Sequence, residues 1–177
     1  MLSLRPLEAA DLPALEPWFN DAATRHWLGD RRWPANKLGM SSPSHHALLG
    51  IVDNVPVGLV DIDIAADRRA AFAIVVAPEQ RRRGLARMMV DACLADPQFA
   101  EISEWFAGVE AGNVASQQLL ESCGFARMTD EDADGFSYYA RRLRGWPRLP
   151  WRPSWSALPE TRRRGLPKVA WSRATAF

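Results

Sequence analysis

No apolar run in this 177-residue sequence approaches the roughly 20 residues that a membrane-spanning helix needs. The first residues, MLSLRPLEAADL, lack the basic segment followed by an apolar segment that is typical of a secretion signal. Only two cysteines are present, Cys93 and Cys123, and both lie in segments of apolar periodicity, which favours small buried hydrophobic residues over a disulfide or metal ligands. We therefore expect a cytoplasmic protein in a reducing compartment, with no membrane segment and no metal.

The formal net charge of +1 conceals an asymmetry between two parts of the chain. Residues 1–140 carry 20 Asp and Glu against 12 Lys and Arg, whereas residues 141–177 carry one acidic residue against ten basic ones. Four of the eight tryptophans also lie in that last segment. The composition predicts a domain of residues 1–143 followed by a basic, Trp- and Pro-rich extension of residues 144–177.

Apolar periodicity predicts an α+β fold. Helical spacing is found in residues 8–19 and 21–28, and residues 29–44 read as a loop. Three strands follow, ALLGIV, VPVGLVDIDI and AAFAIVVA, with a turn at Asp53-Asn54 between the first two. A helix after Gly84, a strand at residues 104–109, a helix at residues 113–122 and a hairpin of FARMT and FSYYARRL complete the order ααβββαβαββ. This order predicts a mixed, largely antiparallel sheet flanked by helices.

Two arginine runs, PEQRRRGL at residues 78–85 and PETRRRGL at residues 159–166, are candidates for phosphate binding or for solvated charge. The first connects a strand to a helix N-terminus, whose free amides and positive dipole end suit a pyrophosphate. Gly84 permits close approach of a ligand to the backbone, and the small side chain of Ala86 leaves room beside it. Arg82 or Arg83 can add positive charge at the edge of the site. The second run has neither a strand pattern before it nor a helix start after it. Pro167, at the position that corresponds to Ala86, has no amide to donate. We predict that only the first run binds.

The motif Arg81-x-x-Gly84-x-Ala86 resembles the acyl-CoA signature of the GNAT superfamily of N-acetyltransferases. A second segment, NVASQQLLESCGF at residues 113–125, is similar to the family's Asn-x-x-(Ala/Ser)-x-x-Leu-Tyr-x-x-x-Gly-Phe. The two matches follow in the family's order on the expected elements, and the resemblance covers residues 4–143. It implies a GNAT-like fold and acetyl-CoA as the cosubstrate.

The resemblance also implies roles for individual residues. Backbone groups of Ile74 and Val76 would bind the pantetheine arm, and the amide of Ile74 would hold the developing oxyanion. The pyrophosphate would lie on the backbone amides of Arg81, Arg82, Arg83, Gly84, Leu85 and Ala86. Asn113 and Ser116 would flank the cofactor, although Asn113 also suits a plain helix N-cap.

The sequence departs from the family pattern at both positions that usually handle protons. Leu120 replaces the tyrosine that protonates the leaving thiolate, so Ser116, Tyr138, Tyr139 or water would serve. Ala70 stands where some members carry a carboxylate base. The candidate bases are therefore Asp61 and Asp63, which share a strand face, and His26. The alternatives are that the aspartates form the solvated face of a strand and that His26 is an ordinary surface histidine.

The acceptor is expected to be a primary amine that attacks acetyl-CoA directly. PWFNDAATRHWLG at residues 17–29 resembles acetyltransferases of protein N-termini and, more loosely, of aminoglycosides and other small polar amines. The acidic body favours a cationic acceptor and disfavours nucleic acid. The basic extension would pack on its own domain, pair with a second copy in a homodimer, or bind RNA or the ribosome. The alternative function of the chain is therefore that of a CoA-binding or RNA-interaction module.

Overall fold

The computed structural model describes residues 1–132 and 135–142. The extension of residues 144–177, its predicted packing or pairing, and the second arginine run lie outside the described residues. The proposed domain boundary after residue 143 stays a prediction for the same reason. In the described part of the chain, no helix is long and apolar enough to span a membrane.

The described residues form one seven-stranded sheet in the order β1-β2-β3-β4-β5-β7-β6. Its strands are β1 (Leu2–Pro6), β2 (His45–Val52), β3 (Val55–Ile64), β4 (Arg69–Val76), β5 (Glu104–Glu110), β6 (Ala126–Arg127) and β7 (Phe136–Arg142). The α-helices are α1 (Leu12–Leu15), α2 (Ala22–Leu28), α3 (Trp33–Gly39), α4 (Leu85–Ala95) and α5 (Val114–Ser122). Short 3-10 turns extend α1 on both sides, at Ala9–Asp11 and Glu16–Asn20, and two more occupy Pro78–Gln80 and Pro97–Phe99.

The strands pair antiparallel except for β4 and β5, which are parallel. The β4–β5 register covers only three residue pairs and ends at Ala71 and Phe106, although β4 continues to Val76 and β5 to Glu110. The two strands therefore separate into a fork in the middle of the sheet. A fork leaves backbone hydrogen-bonding groups of both strands available to a ligand.

Each face of the sheet has its own apolar core. On one face, α4 and α5 pack their apolar side chains, including Met89 and Leu120, against Val60 and Ile62 of β3. A Cβ at Gly58 would lie 2.7 Å from the sulfur of Met89, so glycine is needed there for α4 to approach the sheet. The N-terminal helices cover the other face with a second core.

The α+β class with a mixed, largely antiparallel sheet is confirmed. The predicted order missed β1, because a five-residue strand offers too short an alternating pattern to recognise. The prediction of a loop for residues 29–44 is wrong at α3, whose Trp33, Pro34 and Lys37 are buried. Prolines 13 and 17 divide the helix predicted at residues 8–19 into the short α1 and its flanking 3-10 turns.

Candidate functional site

The fork exposes the backbone of the second half of β4. The amide of Ala77 donates to the carbonyl oxygen of Val57 over 2.9 Å, so odd-numbered residues of β4 direct their hydrogen-bonding groups toward β3. The even-numbered Ile74 and Val76 therefore direct their amides and carbonyls toward β5, beyond the point at which pairing with β5 ends. An extended, amide-bearing ligand can pair with β4 in this gap as an additional strand would.

The loop between β4 and α4 places a helix N-terminus beside the fork. Arg82 has φ 62° and Gly84, the N-cap of α4, has φ 75°, so the chain turns sharply before the helix begins. The amide of Met88 donates to the Gly84 oxygen over 3.1 Å, which leaves the amides of the preceding first turn outside the intrahelical ladder. These amides and the positive end of the helix dipole favour an anion.

A cavity of about 530 Å³ lies between this loop and α5. It is lined by Val76, Gln80, Arg81, Arg82, Gly84, Leu85, Ala86, Arg87, Ala115, Gln118, Leu119 and Ser122. The lining contains three arginines and no carboxylate. The cavity is therefore suited to an anionic ligand that continues along β4 into the fork.

Most of the residues predicted for pyrophosphate binding meet at this cavity. Arg82, Gly84, Leu85 and Ala86 line it directly. Arg83 is the exception: its side chain is not part of the lining, and its guanidinium donates to the side-chain oxygen of Gln80 over 3.0 Å.

The guanidinium of Arg81 is directed away from the proposed phosphate position and toward α2. It donates to Asp21 over 2.9 Å and to the Thr24 hydroxyl over 2.6 Å. Burial alone would raise the pKa of Asp21, but hydrogen bonds from Thr24 and Arg81 outweigh it and hold that pKa below its ordinary value. Arg81 thus ties the loop to α2, and only its backbone is left for the predicted phosphate role.

The structure shows α5 contributing different residues from those predicted. Asn113 is its N-cap, with the side-chain oxygen accepting from the Ser116 amide over 3.2 Å, and Ser116 is fully buried. The cavity is lined instead by residues 115, 118, 119 and 122. Their i, i+3, i+4, i+7 spacing marks one helix face, and this pattern could have identified them from the sequence.

Asp61 lies in a buried charge cluster on the side of the sheet covered by α3. One carboxylate oxygen is 2.6 Å from Lys37 Nζ and the other is 2.7 Å from His45 Nε2. The His45 contact is short but not aligned as a hydrogen bond, and among the described residues neither ring nitrogen has a hydrogen-bond partner. The predicted alternation is confirmed, since Asp61 is on the face opposite Val60 and Ile62, but its carboxylate already contacts two cationic or basic side chains.

The other proposed proton-handling residues lie in different environments. His26 is exposed on α2, with its ring against Trp27 at a centroid distance of 4.2 Å. Tyr139 is buried, and burial raises the pKa of its hydroxyl. Tyr138 is partly exposed on the opposite face of β7, and its hydroxyl donates to Asp132 over 3.0 Å. Of the predicted acids, Tyr138 is therefore the accessible side chain.

Comparison with known proteins gives a consistent set of similarities. The model of the "Acetyltransferase (GNAT) family" matches residues 9–125. The "Uncharacterized N-acetyltransferase YfmK" of Bacillus subtilis (strain 168) is 26% identical over 136 residues, which cover 73% of this chain and 89% of that protein.

Two solved structures have a similar fold. The aminoglycoside acetyltransferase AAC(6')-Ib in complex with coenzyme A has a TM-score of 0.66 at 19% identity. The spermidine N-acetyltransferase from Vibrio cholerae in complex with CoA and spermine has a TM-score of 0.66 at 23% identity. Each alignment covers 80% of this chain and 95% of the other chain.

Proposed function

The chain belongs to the GNAT family and is an acetyl-CoA-dependent N-acetyltransferase, and we propose that its acceptor is a primary amine of a cationic small molecule or of a protein N-terminus. One observation carries the placement of acetyl-CoA: an open strand backbone at the fork continues into a cavity lined by arginines at a helix N-terminus. The pyrophosphate would lie on the amides of residues 81–86. The pantetheine arm would pair with Ile74 and Val76 of β4.

This placement brings the thioester to the fork. The amine nitrogen attacks the carbonyl carbon of acetyl-CoA, a C–N bond forms, and the C–S bond then breaks to release the CoA thiolate. The amide of Ile74 faces the gap and would donate to the oxyanion that develops on the carbonyl oxygen. Transfer is direct, with no covalent enzyme intermediate.

Two observations support a cationic acceptor. The described part of the chain belongs almost wholly to the acidic segment of residues 1–140, whose field attracts cations. In addition, one protein of similar fold is bound to spermine and another is an aminoglycoside acetyltransferase, and both act on polycationic amines. We also place the protein in the cytoplasm, a location that its two buried free cysteines favour.

The acceptor proposal is tested by an amine panel. The full chain is incubated with acetyl-CoA and spermine, kanamycin or a short peptide with a free N-terminus, and release of free CoA is measured against a reaction without amine. We expect at least one amine to accelerate CoA release, with the acetylated amine confirmed by mass spectrometry. Binding of acetyl-CoA without acceleration by any amine would instead support the CoA-binding module.

Replacement of Cys123 by serine is expected to retain most of the turnover. Cys123 is buried at the end of α5, and burial raises the pKa of its thiol, so little thiolate is available as a nucleophile. The same holds for Cys93, whose pKa burial raises to about 12. The measurement is kcat with the most active amine of the panel. Loss of turnover with unchanged acetyl-CoA binding would indicate a ping-pong mechanism through Cys123.

The basic extension supports the alternative function, an RNA or ribosome contact. Its eight basic residues and four tryptophans are suited to phosphate pairing and base stacking. Retention of the protein on immobilised RNA is measured against salt concentration, with a variant lacking residues 145–177 as the control. Retention that falls steeply with salt and disappears in the shortened variant supports this alternative, and equal retention of both proteins excludes it.

A further inference from the structure

A partly exposed strip crosses the fork on the face of the sheet opposite α4 and α5. Ala73 of β4 and Gly108 of β5 lie on this strip, on the two strands that separate. Tyr138 borders it on β7, with its ring 3.0 Å from the place that a Cβ on Gly108 would take. Because α4 and α5 fill the other face, an amine that attacks a thioester held along β4 has to approach from this strip.

Asp63 borders the strip on the side away from Tyr138. It pairs with Ala71 in the β3–β4 register, and Ala71 pairs with Phe106 in the last residue pair before the fork. Asp63 is therefore one strand away, about 5 Å, from the point at which β4 and β5 separate, and three residues, roughly 10 Å, along the sheet from Ile74. Its side chain is partly exposed, so a ligand on the strip can reach it.

The carboxylate of Asp63 is uncommitted, in contrast to that of Asp61. Both oxygens of Asp61 contact Lys37 and His45 at 2.6 and 2.7 Å. Within residues 1–132 and 135–142, Asp63 has neither a side-chain hydrogen bond nor an ion pair. A half-buried carboxylate without a cation is unfavourable unless a ligand supplies one.

The surroundings of Asp63 also suit a proton acceptor. Burial raises the pKa of Asp63 above its ordinary value; His45 on β2 lowers it, Asp61 on β3 raises it, and Lys37 on α3 lowers it. On β4, the residue that faces Asp63 is the uncharged Ala71. A carboxyl group whose pKa is raised toward neutrality is a better general base than an ordinary aspartate.

We propose that Asp63 attracts the ammonium group of the acceptor to the fork and accepts its first proton through intervening water. This inference rests on the proposed acetyl transfer to a primary amine. The ammonium transfers a proton through water to the Asp63 carboxylate, and the neutral amine forms the C–N bond with the acetyl carbon. As the C–S bond breaks, the second proton passes from nitrogen to the departing thiolate, directly or through Tyr138 or water. Asp63 then releases its proton to solvent.

The test compares three isosteric substitutions on one hairpin. Asp63→Asn removes the proposed base, Asp61→Asn removes the carboxylate of the buried cluster, and Asp53→Asn is the control at the opposite, solvent-exposed end of the β2–β3 hairpin. For each variant, kcat/KM is measured from pH 6 to 9 with the most active of spermine, kanamycin and the peptide. Calorimetry with acetyl-CoA and a thermal melt show whether each variant folds and binds its cosubstrate.

Asp63→Asn is expected to lower kcat/KM at pH 7 by about 100-fold and to leave acetyl-CoA affinity unchanged. Its kcat/KM should rise about tenfold per pH unit, because only the small fraction of free amine reacts. In the unchanged protein, kcat/KM should level off above the pKa of Asp63, because ionised Asp63 then accepts a proton from the ammonium form of the acceptor. Asp63→Glu should recover part of the activity, and Asp53→Asn should behave as the unchanged protein.

Three outcomes would overturn this assignment. Asp63→Asn could keep both the rate and the levelling of the profile, or the change of profile could follow Asp61→Asn or a His26→Gln variant instead. If Asp63→Asn loses acetyl-CoA binding, Asp63→Ser is measured, and loss of binding there as well assigns Asp63 a structural role. If no amine accelerates CoA release by the unchanged protein, the proposed function itself fails.

Discussion

Gly84→Val is expected to abolish detectable acetyl-CoA binding. Gly84 has φ 75° and ψ 3° at the N-cap of α4, a left-handed conformation that costs an L-residue roughly 1–2 kcal/mol and is least compatible with a β-branched side chain. Valine would therefore shift the backbone that carries the first-turn amides. Its side chain would also enter the open space at the cavity wall, where no protein atom lies within 4 Å of a Cβ.

Two variants separate this effect from charge and from general strain. Arg82→Ala removes one positive charge from the cavity wall and should weaken binding by about tenfold or less, the scale of one exposed charge-assisted contact. Gly29→Val places valine at φ 93°, also with nothing within 4 Å of its Cβ, at the end of α2. It should lower the melting temperature and retain binding. Calorimetry that finds Gly84→Val and Arg82→Ala equally harmless would refute the assignment of the cavity to the cofactor.

Lys37→Met is expected to lower the free energy of unfolding by about 3 kcal/mol or more. Lys37 and Asp61 have side-chain exposures of 8% and 9%, so the substitution leaves a buried carboxylate without its ammonium partner. His45 lies on the other carboxylate oxygen and moderates the loss. For a chain of this size, 3 kcal/mol corresponds to a fall in melting temperature of roughly 6–12 °C.

The double variant Lys37→Met with Asp61→Leu shows whether the cost arises from the unpaired charge. It should be more stable than Lys37→Met alone, because no charge is then buried without a partner. Glu101→Gln is the control, since it breaks an exposed ion pair with Arg68 and should change stability by less than about 1 kcal/mol. A loss in Lys37→Met no greater than in Glu101→Gln would mean that solvent reaches the cluster.

The sequence by itself determined the features that depend on a few neighbouring residues. The Asp53-Asn54 turn forms as predicted, with φ values of 49° and 64°. Asn113 caps α5 through its side chain, and the loop that ends at Gly84 connects a strand to a helix. Each of these follows from backbone geometry within one turn of chain, so a short pattern is sufficient to predict it.

Only the tertiary structure decided the partners of the charged residues. The sequence predicted Asp61 as a base and the backbone amide of Arg81 as a phosphate contact. It did not predict that Asp61 contacts Lys37 from α3, or that the Arg81 side chain binds Asp21, 60 residues away in the chain. The sequence offered Asp61 and Asp63 together as candidate bases, because two aspartates on one strand face look equivalent until their neighbours are known. A carboxylate acts as a base or as half of an ion pair according to the cations packed beside it, and the packing of distant segments determines which cations those are.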